Sequence, residues 1–548
     1  MKVRFLPDNR EYEFYQSKTI LQAARELGLD ADAPCGGRGK CGKCLVEADG
    51  RKTLACQTSL QDGMVINLTS GRKGTIVLSS VTETEVPTNP LVRAPYYAAI
   101  DIGTTTLACE ILEGESGRIL ASAGALNPQQ TFGADVVSRI QAAMNGQMAA
   151  LTKMIREALS RLLSQSAKQA GVSVNDIGII GIVGNPCMQQ LFEGISLENL
   201  ARPPFPAKLG KANVLPAGEI FPELPNALVL SVPDVFGYIG ADTMGCVLSS
   251  GIHRTNQPSL LVDIGTNGEM VLSDGGRMVA CATAAGPALE GAGITFGMRG
   301  SAGAIDHVSL KDGRISCHVI REPARSDGEE LCKTKTTDTM LNERKERKTA
   351  GSEFAVESGG ETICHADGAR CPEVSGICGS GLIDAVALLW IQGIINRRGR
   401  LPAPEDCPAF AQYLGEKDGE RIFHLTDSVY LTQEDIRQVQ MAKGAIAAGI
   451  ELMAKELQIE IRDIRNVYLA GAFGSFIRKE SACAIGLLPP ELAGCVHVIG
   501  NAAIEGCRRM VCSQEEFYLA ETLSRNIQAL DLASVQGFAR SYAKHMGF

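Results

Sequence analysis

The chain opens on a two-residue alternation. KVRFLP and EYEFY set apolar side chains at every second position, TILQAARELG changes to a helical period, and CLVEA, KTLACQ and MVINL return to strand-like spacing. Strands, one helix and strands again suit a small β-grasp domain over residues 1–71. From about Gly71 the text turns rich in Thr, Val and Pro without a helical period. Pro87, Pro90 and Pro95 bias their neighbours toward extended conformations, so residues 72–95 read as a linker.

From Tyr96 onward, apolar strand-like runs ending in Gly/Thr loops alternate with amphipathic helices such as 151–170, the pattern of a large α/β domain. Two strand–loop units repeat each other, AAIDIGTTTLACEIL and LLVDIGTNGEMVL. A repeat of that kind predicts two similar halves facing a shared cleft, hence one bilobal domain over residues 96–548. The fold class expected for the whole chain is therefore multidomain, α/β and α+β. Between residues 321 and 373 the composition shifts to Lys, Glu, Thr and Gly, including LNERKERKTAGSE, which predicts a mobile surface insertion.

Composition narrows the function classes. At 548 residues the chain exceeds what one hydrophobic core supports, and 45% hydrophobic with 21% charged residues is ordinary globular usage. A net charge of -9 repels a phosphate backbone, and no Lys/Arg run interleaved with aromatics offsets it, which argues against nucleic acid. MKVRFLPDNREYEFY lacks the apolar stretch of a secretory signal, and the most apolar helical segment, 382–395, is broken by Asp384 and Gln392. A cytoplasmic protein without a membrane span is expected, with most of its 18 cysteines reduced and buried.

The cysteines that carry chemistry stand together. PCGGRGKCGKC gives Cys35-x5-Cys41-x2-Cys44, and Cys56 follows in LACQ. A Gly-rich loop can wrap a cluster and aim amide donors at its sulfurs, as plant-type [2Fe–2S] centres require, although the plant-type spacing has four residues between its first two cysteines. A zinc knot usually pairs two short hooks, and only one is present here. Cys364, His365, Cys371 and Cys378 show no regular hook spacing.

The repeated loops suit phosphate. In each, a strand ends in Asp-Ile-Gly-Thr: glycine admits close backbone approach, hydroxyls and amides donate to phosphate oxygens, and Asp101 or Asp263 can hold a hydrated Mg²⁺. Either loop alone reads more readily as a tight hairpin turn; the repetition favours phosphate. Val467–Ser475, VYLAGAFGS, is either a strand-to-helix turn or a loop against which a nucleoside lies. Asp242, in GADT, is either a helix N-cap or a carboxylate facing a terminal phosphate and its attacking water. No G-x-x-x-x-G-K-[ST] loop is present, and Gly376–Gly381, GICGSG, reads as packing.

Cysteines of this spacing together with AIDIGTTT, GNPCMQQL, VDIGTNGEM, GITFGMRG, GICGSGLID and LAGAFGS resemble the reductive activators of corrinoid-dependent enzymes, over nearly the whole chain. The resemblance implies a ferredoxin domain joined to an ATPase of the actin, sugar-kinase and heat-shock superfamily. It implies a [2Fe–2S] cluster, ATP and Mg²⁺ as cofactors, and reduction of cobalt(II) to cobalt(I) on a corrinoid methyl-transfer partner, with an external low-potential electron donor. Residue by residue it implies that Cys35, Cys41, Cys44 and Cys56 ligate iron. Asp101, Gly103, Thr104, Thr105, Asp263, Gly265, Thr266 and Asn267 would hold phosphate and Mg²⁺, Gly471 and Gly474 would flank adenosine, and Asp242 would orient water. Such clusters sit near roughly −400 mV, and the acceptor couple is lower, so ATP would supply the difference. Activators of this type can carry an extra domain before the ATPase; here the linker runs almost directly into the first phosphate loop, which leaves a homodimer open. A ferredoxin-tethered nucleotide sensor and an activator of another low-potential acceptor are the alternatives.

Overall fold

The computed structural model describes all residues except 7–8, 28, 30–36, 38, 40–43, 69–85, 87, 134, 266, 284–285, 292, 322–353, 357–361, 365–373 and 472–473. The described residues form two compact units. One comprises residues 1–78, 84–249 and 503–527; the other comprises 79–83, 250–502 and 528–548.

The first unit begins with strands β1 (Lys2–Leu6), β2 (Arg10–Glu13), β3 (Leu45–Ala48), β4 (Arg51–Leu54) and β5 (Val65–Asn67), ordered β2-β1-β5-β3-β4. β1 and β5 run parallel, and hairpins β1–β2 and β3–β4 flank them. Helix Ile20–Glu26 joins Val3, Phe5, Val46 and Ile66 in one apolar cluster. The opening alternation is the cause: in β1, Val3 and Phe5 are buried while Lys2 and Arg4 face water. This is the β-grasp arrangement expected from the sequence.

The same unit continues with β6 (Tyr96–Ile102), β7 (Thr106–Glu113), β8 (Ile119–Leu126), β9 (Ile177–Gly184), β10 (Asn213–Pro216) and β11 (Leu228–Ser231), ordered β10-β11-β9-β6-β7-β8. β6, β7 and β8 form an antiparallel meander, and β9 and β11 add parallel strands beside β6. The second unit repeats the plan with β12 (Ser259–Ile264), β13 (Gly268–Ser273) and β14 (Met278–Thr283) as a meander. After β15 (Ala304–Lys311), β16 (Arg314–Val319), β17 (Phe354–Val356), β18 (Thr362–Cys364), β19 (Gly376–Ile377), β20 (Leu414–Lys417), β21 (Glu420–His424) and β22 (Tyr430–Thr432), strands β23 (Asn466–Ala470) and β24 (Val496–Gly500) lie parallel beside β12. The internal repeat read from the two DIGT segments is thus a repeat of sheet topology. Because strands flanked by helices are buried on both faces, β6 and β12 read as apolar runs rather than as alternation.

Two described strands fall within residues 321–373, where the sequence predicts a mobile surface insertion. β17 and β18 lie within it and extend the sheet β18-β17-β16-β15-β19, because β16 has an open edge whose amides and carbonyls find partners there.

Two glycines set a close helix contact. A Cβ on Gly506, in helix Ala502–Cys512, would lie 2.0 Å from the carbonyl oxygen of Gly245 in helix Ala241–Ser250. The C-terminal segment therefore returns to the first unit and packs against it at backbone distance. It also sets the buried pair Arg508 and Glu505, joined at 2.9 and 2.7 Å, close enough to Glu110 of β7 for their charges to act on it. Burial, reinforced by Glu505, pushes the Glu110 carboxyl up to about 8, with Arg508 opposing. The folded protein then keeps a proton that the unfolded chain releases above its ordinary carboxylate range. This stabilisation is complete at acid pH and is lost as pH rises through about 8. Glu110→Gln is expected to gain stability relative to wild type, seen as a higher melting temperature, by a margin that grows between pH 5 and pH 8.5 and reaches on the order of a few kcal/mol. Thermal melts with parallel pH profiles for the two proteins would contradict this.

Candidate functional site

The β3–β4 hairpin brings the described cluster cysteines together. Cys44 precedes β3 and Cys56 follows β4, with Leu45 opposite Leu54. The Ala55 amide donates to the Cys44 carbonyl at 2.7 Å, and the Cys56 amide donates to Cys44 Sγ at 3.4 Å. An N–H aimed at sulfur stabilises a thiolate, the form that binds iron. Gly37 and Gly39 adopt φ of +90° and +72°, conformations open to glycine, which is why the loop before Cys44 is glycine-rich. Cys44 is buried, so a metal bound there is shielded from water on the protein side. Cys35 and Cys41 lie outside the described residues.

In the first unit, Gly103, Thr104 and Thr105 join β6 to β7. Their three successive carbonyls are held by the protein. Asn127 Nδ2 donates to Gly103 O at 2.8 Å, Arg139 Nη2 donates to Thr104 O, and Gln130 Nε2 donates to Thr105 O at 2.8 Å. Because a trans peptide points its N–H opposite its C=O, the amides of Thr104, Thr105 and Thr106 face away from these anchors, as an anion-binding loop requires. Asp101 is the penultimate residue of β6, opposite Ala108 and Val183.

The segment GNPCMQQL supplies the scaffold for this loop. Asn185 caps helix Pro186–Glu193 by accepting from the Met188 amide and donates from Nδ2 to Thr104 Oγ1 at 3.0 Å. Buried Gln189 donates to Val232 O at 2.9 Å and accepts from the Ala241 amide at 3.3 Å. One helix thus fixes both the loop after β6 and the chain between β11 and helix Ala241–Ser250.

Asp242 sits inside the first turn of that helix, and its Oδ1 accepts from the Thr243 amide at 2.7 Å. It is a helical residue rather than the N-cap. Asp234, three residues beyond β11, is 3% exposed, and neither carboxylate oxygen has a hydrogen-bond partner among the described residues. Burial above all, and next the charge of Asp242, holds its carboxyl well above the usual carboxylate range, with the Leu209 backbone opposing. Asp234 and Arg139 belong to none of the sequence motifs, whereas Asn185 and Gln189 fall in GNPCMQQL, whose resemblance carries no role for either.

In the second unit the carboxyl ends of β12, β23 and β24 converge. Asp263 is the penultimate residue of β12 and lies opposite Ala470, the last residue of β23. Gly471 follows at φ +95°, its amide donating to Gly500 O at 2.9 Å. A Cβ on Gly471 would fall 2.6 Å from Asp263 Oδ1 and 2.5 Å from Ile264 O, so only glycine lets this loop lie against the carboxylate. Gly265 donates to Asn267 O at 2.9 Å in the turn between β12 and β13, and Gly474 packs near Leu469. Thr266 lies outside the described residues. In each unit the candidate residues occupy the carboxyl ends of parallel strands, where α/β sheets bind ligands. GICGSG is packing: Cβ atoms at Gly376 and Gly381 would lie 2.3 Å from the carbonyls of Phe296 and Ile305.

A β-grasp domain with a cysteine hairpin, followed by duplicated sheets bearing Asp-Ile-Gly loops, defines a ferredoxin-linked protein of the ASKHA ATPase class. Residues 1–71 match the model of a 2Fe–2S iron–sulfur cluster binding domain, 96–255 that of the RACo middle region, and 257–548 that of the C-terminal domain of RACo, the ASKHA domain. The chain belongs to the family of reductive activators of corrinoid proteins. Among its relatives is the corrinoid activation enzyme RamQ of Eubacterium limosum, 27% identical over 638 residues and covering 100% of this chain and 99% of that one. Another is the [Co(II) methylated amine-specific corrinoid protein] reductase of Methanosarcina barkeri, 26% identical over 466 residues, covering 83% and 77%. A solved structure of a reductive activator for corrinoid, iron–sulfur protein superposes with a TM-score of 0.66 at 25% identity, covering 100% of this chain and 98% of the other.

Proposed function

We propose that this protein is an ATP-dependent reductive activator, which returns the cobalt(II) of a corrinoid methyl-transfer protein to cobalt(I) by passing it one electron through the N-terminal domain. The carrying observation is the union in one family-matched chain of the Cys44–Cys56 hairpin with two Asp-Ile-Gly loops at strand carboxyl ends. When bound, the [2Fe–2S] cluster supplies the electron and Mg-ATP the free energy for an uphill transfer.

Cys35, Cys41, Cys44 and Cys56 hold iron, with the Cys56 amide stabilising the Cys44 thiolate. Asp101 and Asp263 orient hydrated Mg²⁺, while Gly103, Thr104, Thr105, Gly265, Thr266 and Asn267 present donors to phosphate. Gly471 and Gly474 leave room for adenosine. Asp242 orients the attacking water, and its charge, after burial, helps hold the nearby Asp234 carboxyl above the usual carboxylate range. The electron that the cluster would pass on would come from an external low-potential donor. The cytoplasm suits this chemistry, since none of the cysteines whose side chains are described is joined in a disulfide.

A nucleotide shifts an equilibrium only by binding two states differently, so the partner must change ATP turnover if ATP drives the transfer. Steady-state ATP hydrolysis is expected to rise at least about tenfold when a cobalt(II) corrinoid protein is added, a barrier lowered by about 1.4 kcal/mol. A rate unmoved by any corrinoid partner would favour a nucleotide sensor that presents its cluster for regulation.

A further inference from the structure

β15 and β16 are antiparallel neighbours, and their register sets His307 directly opposite His318. Opposed residues share a sheet face, and the two ring centres are 6.3 Å apart. Each Nδ1 is engaged by a carboxylate: His307 by Asp384 Oδ2 at 3.0 Å, and His318 by Asp306 Oδ1 at 2.5 Å. Asp306 lies at the bulge between Ile305 and His307, which inserts it as an extra residue in the strand and re-aims it. Asp384 is 2% exposed and is itself locked by Arg478 Nε at 2.8 Å and Ser481 Oγ at 2.6 Å.

A carboxylate at Nδ1 fixes the proton there and leaves the Nε2 lone pair of the neutral ring as the metal-binding atom, the same outer-shell arrangement that orients histidines in metal centres. Neither Nε2 makes a hydrogen bond among the described residues, and the side chains are 32% and 57% exposed, so both rings are reachable from solvent. A ring bound at about 2.0–2.1 Å through Nε2 has its centre about 3 Å from the ion, so one ion spans this pair with small side-chain rotations.

We propose that His307 and His318 form a two-imidazole binding site for one divalent transition-metal ion of the Ni²⁺, Cu²⁺ or Zn²⁺ class. Imidazole pairs suit these ions, and their preference follows the order of stability of first-row complexes. Among the described residues no third metal-ligating side chain joins the pair, so water or a group from another molecule completes the coordination. The site lies in the sheet that carries β17 and β18, a different sheet from the one formed by β12 and β23, and does not depend on the activator reading.

The test is calorimetric titration of the full-length protein, cluster assembled, with Ni²⁺ alone. Wild type is expected to bind one ion at least about tenfold more tightly than His307→Ala or His318→Ala. Asp306→Asn, which alters only the outer partner, should weaken binding by about tenfold or more. Unchanged cluster absorbance and melting temperature in each variant establish that the fold is intact. Equal Ni²⁺ affinity in wild type and both alanine variants would overturn the site and reduce the two histidine–aspartate contacts to ion pairs that steady the sheet.

Discussion

Serine at Cys44 abolishes cobalt(I) formation, by more than about 100-fold, the upper end of what losing even an outer-shell partner costs a metal centre. The side chain is 2% exposed at the entrance to β3, and the Cys56 amide is directed at its sulfur. A hydroxyl there is a poor ligand for iron and shortens the reach to the cluster, while the hairpin backbone, held by the Ala55 to Cys44 bond at 2.7 Å, stays in place. The variant should therefore lose visible cluster absorbance yet bind ATP with unchanged affinity. Retention of the cluster spectrum would remove Cys44 from the ligand set.

Alanine at Gly471 is expected to lower ATP affinity by about 10- to 100-fold without touching the cluster. The position has φ of +95°, where an L side chain costs roughly 1–2 kcal/mol. The added methyl would meet Ile264 O at 2.5 Å and Asp263 Oδ1 at 2.6 Å, both belonging to the end of β12. Relief of those contacts must move either the nucleoside loop or the Asp263 carboxylate, and overpacking of this kind costs about 1–3 kcal/mol. Gly494→Ala, where an added Cβ meets nothing within 4 Å, is the control. Fluorescent-nucleotide binding equal in the two variants would place adenosine elsewhere.

What could be read from the sequence was whatever recurs locally. The alternation in KVRFL marks β1 because one face of that strand meets the core, and the paired DIGT loops mark β6 and β12 because both strands end in the same tight connection. Supports that depend on chain crossing were not legible. Arg139 reaches Thr104 across 35 residues and Asn185 reaches it across 81, and neither carries a local signal that a loop needs it. Asp234 belongs to no sequence motif, and only burial without a side-chain hydrogen-bond partner among the described residues sets it apart. Glu110 similarly looks like a polar interruption in an apolar strand. Only the return of helix Ala502–Cys512 to the first unit makes it a buried acid beside an ion pair. Within 321–373 the polar composition carries no strand signal for β17 and β18, whose place comes from the open edge of β16.

The most direct measurement is anaerobic visible absorbance of a cobalt(II) corrinoid protein mixed with this protein and a chemical reductant, with and without Mg-ATP, for wild type and Cys44→Ser. Cobalt(I) absorbance that appears only with ATP and only with intact Cys44 is the predicted result. Full reduction without ATP, or with the Cys44→Ser protein, would contradict the coupling of nucleotide to electron transfer through this chain.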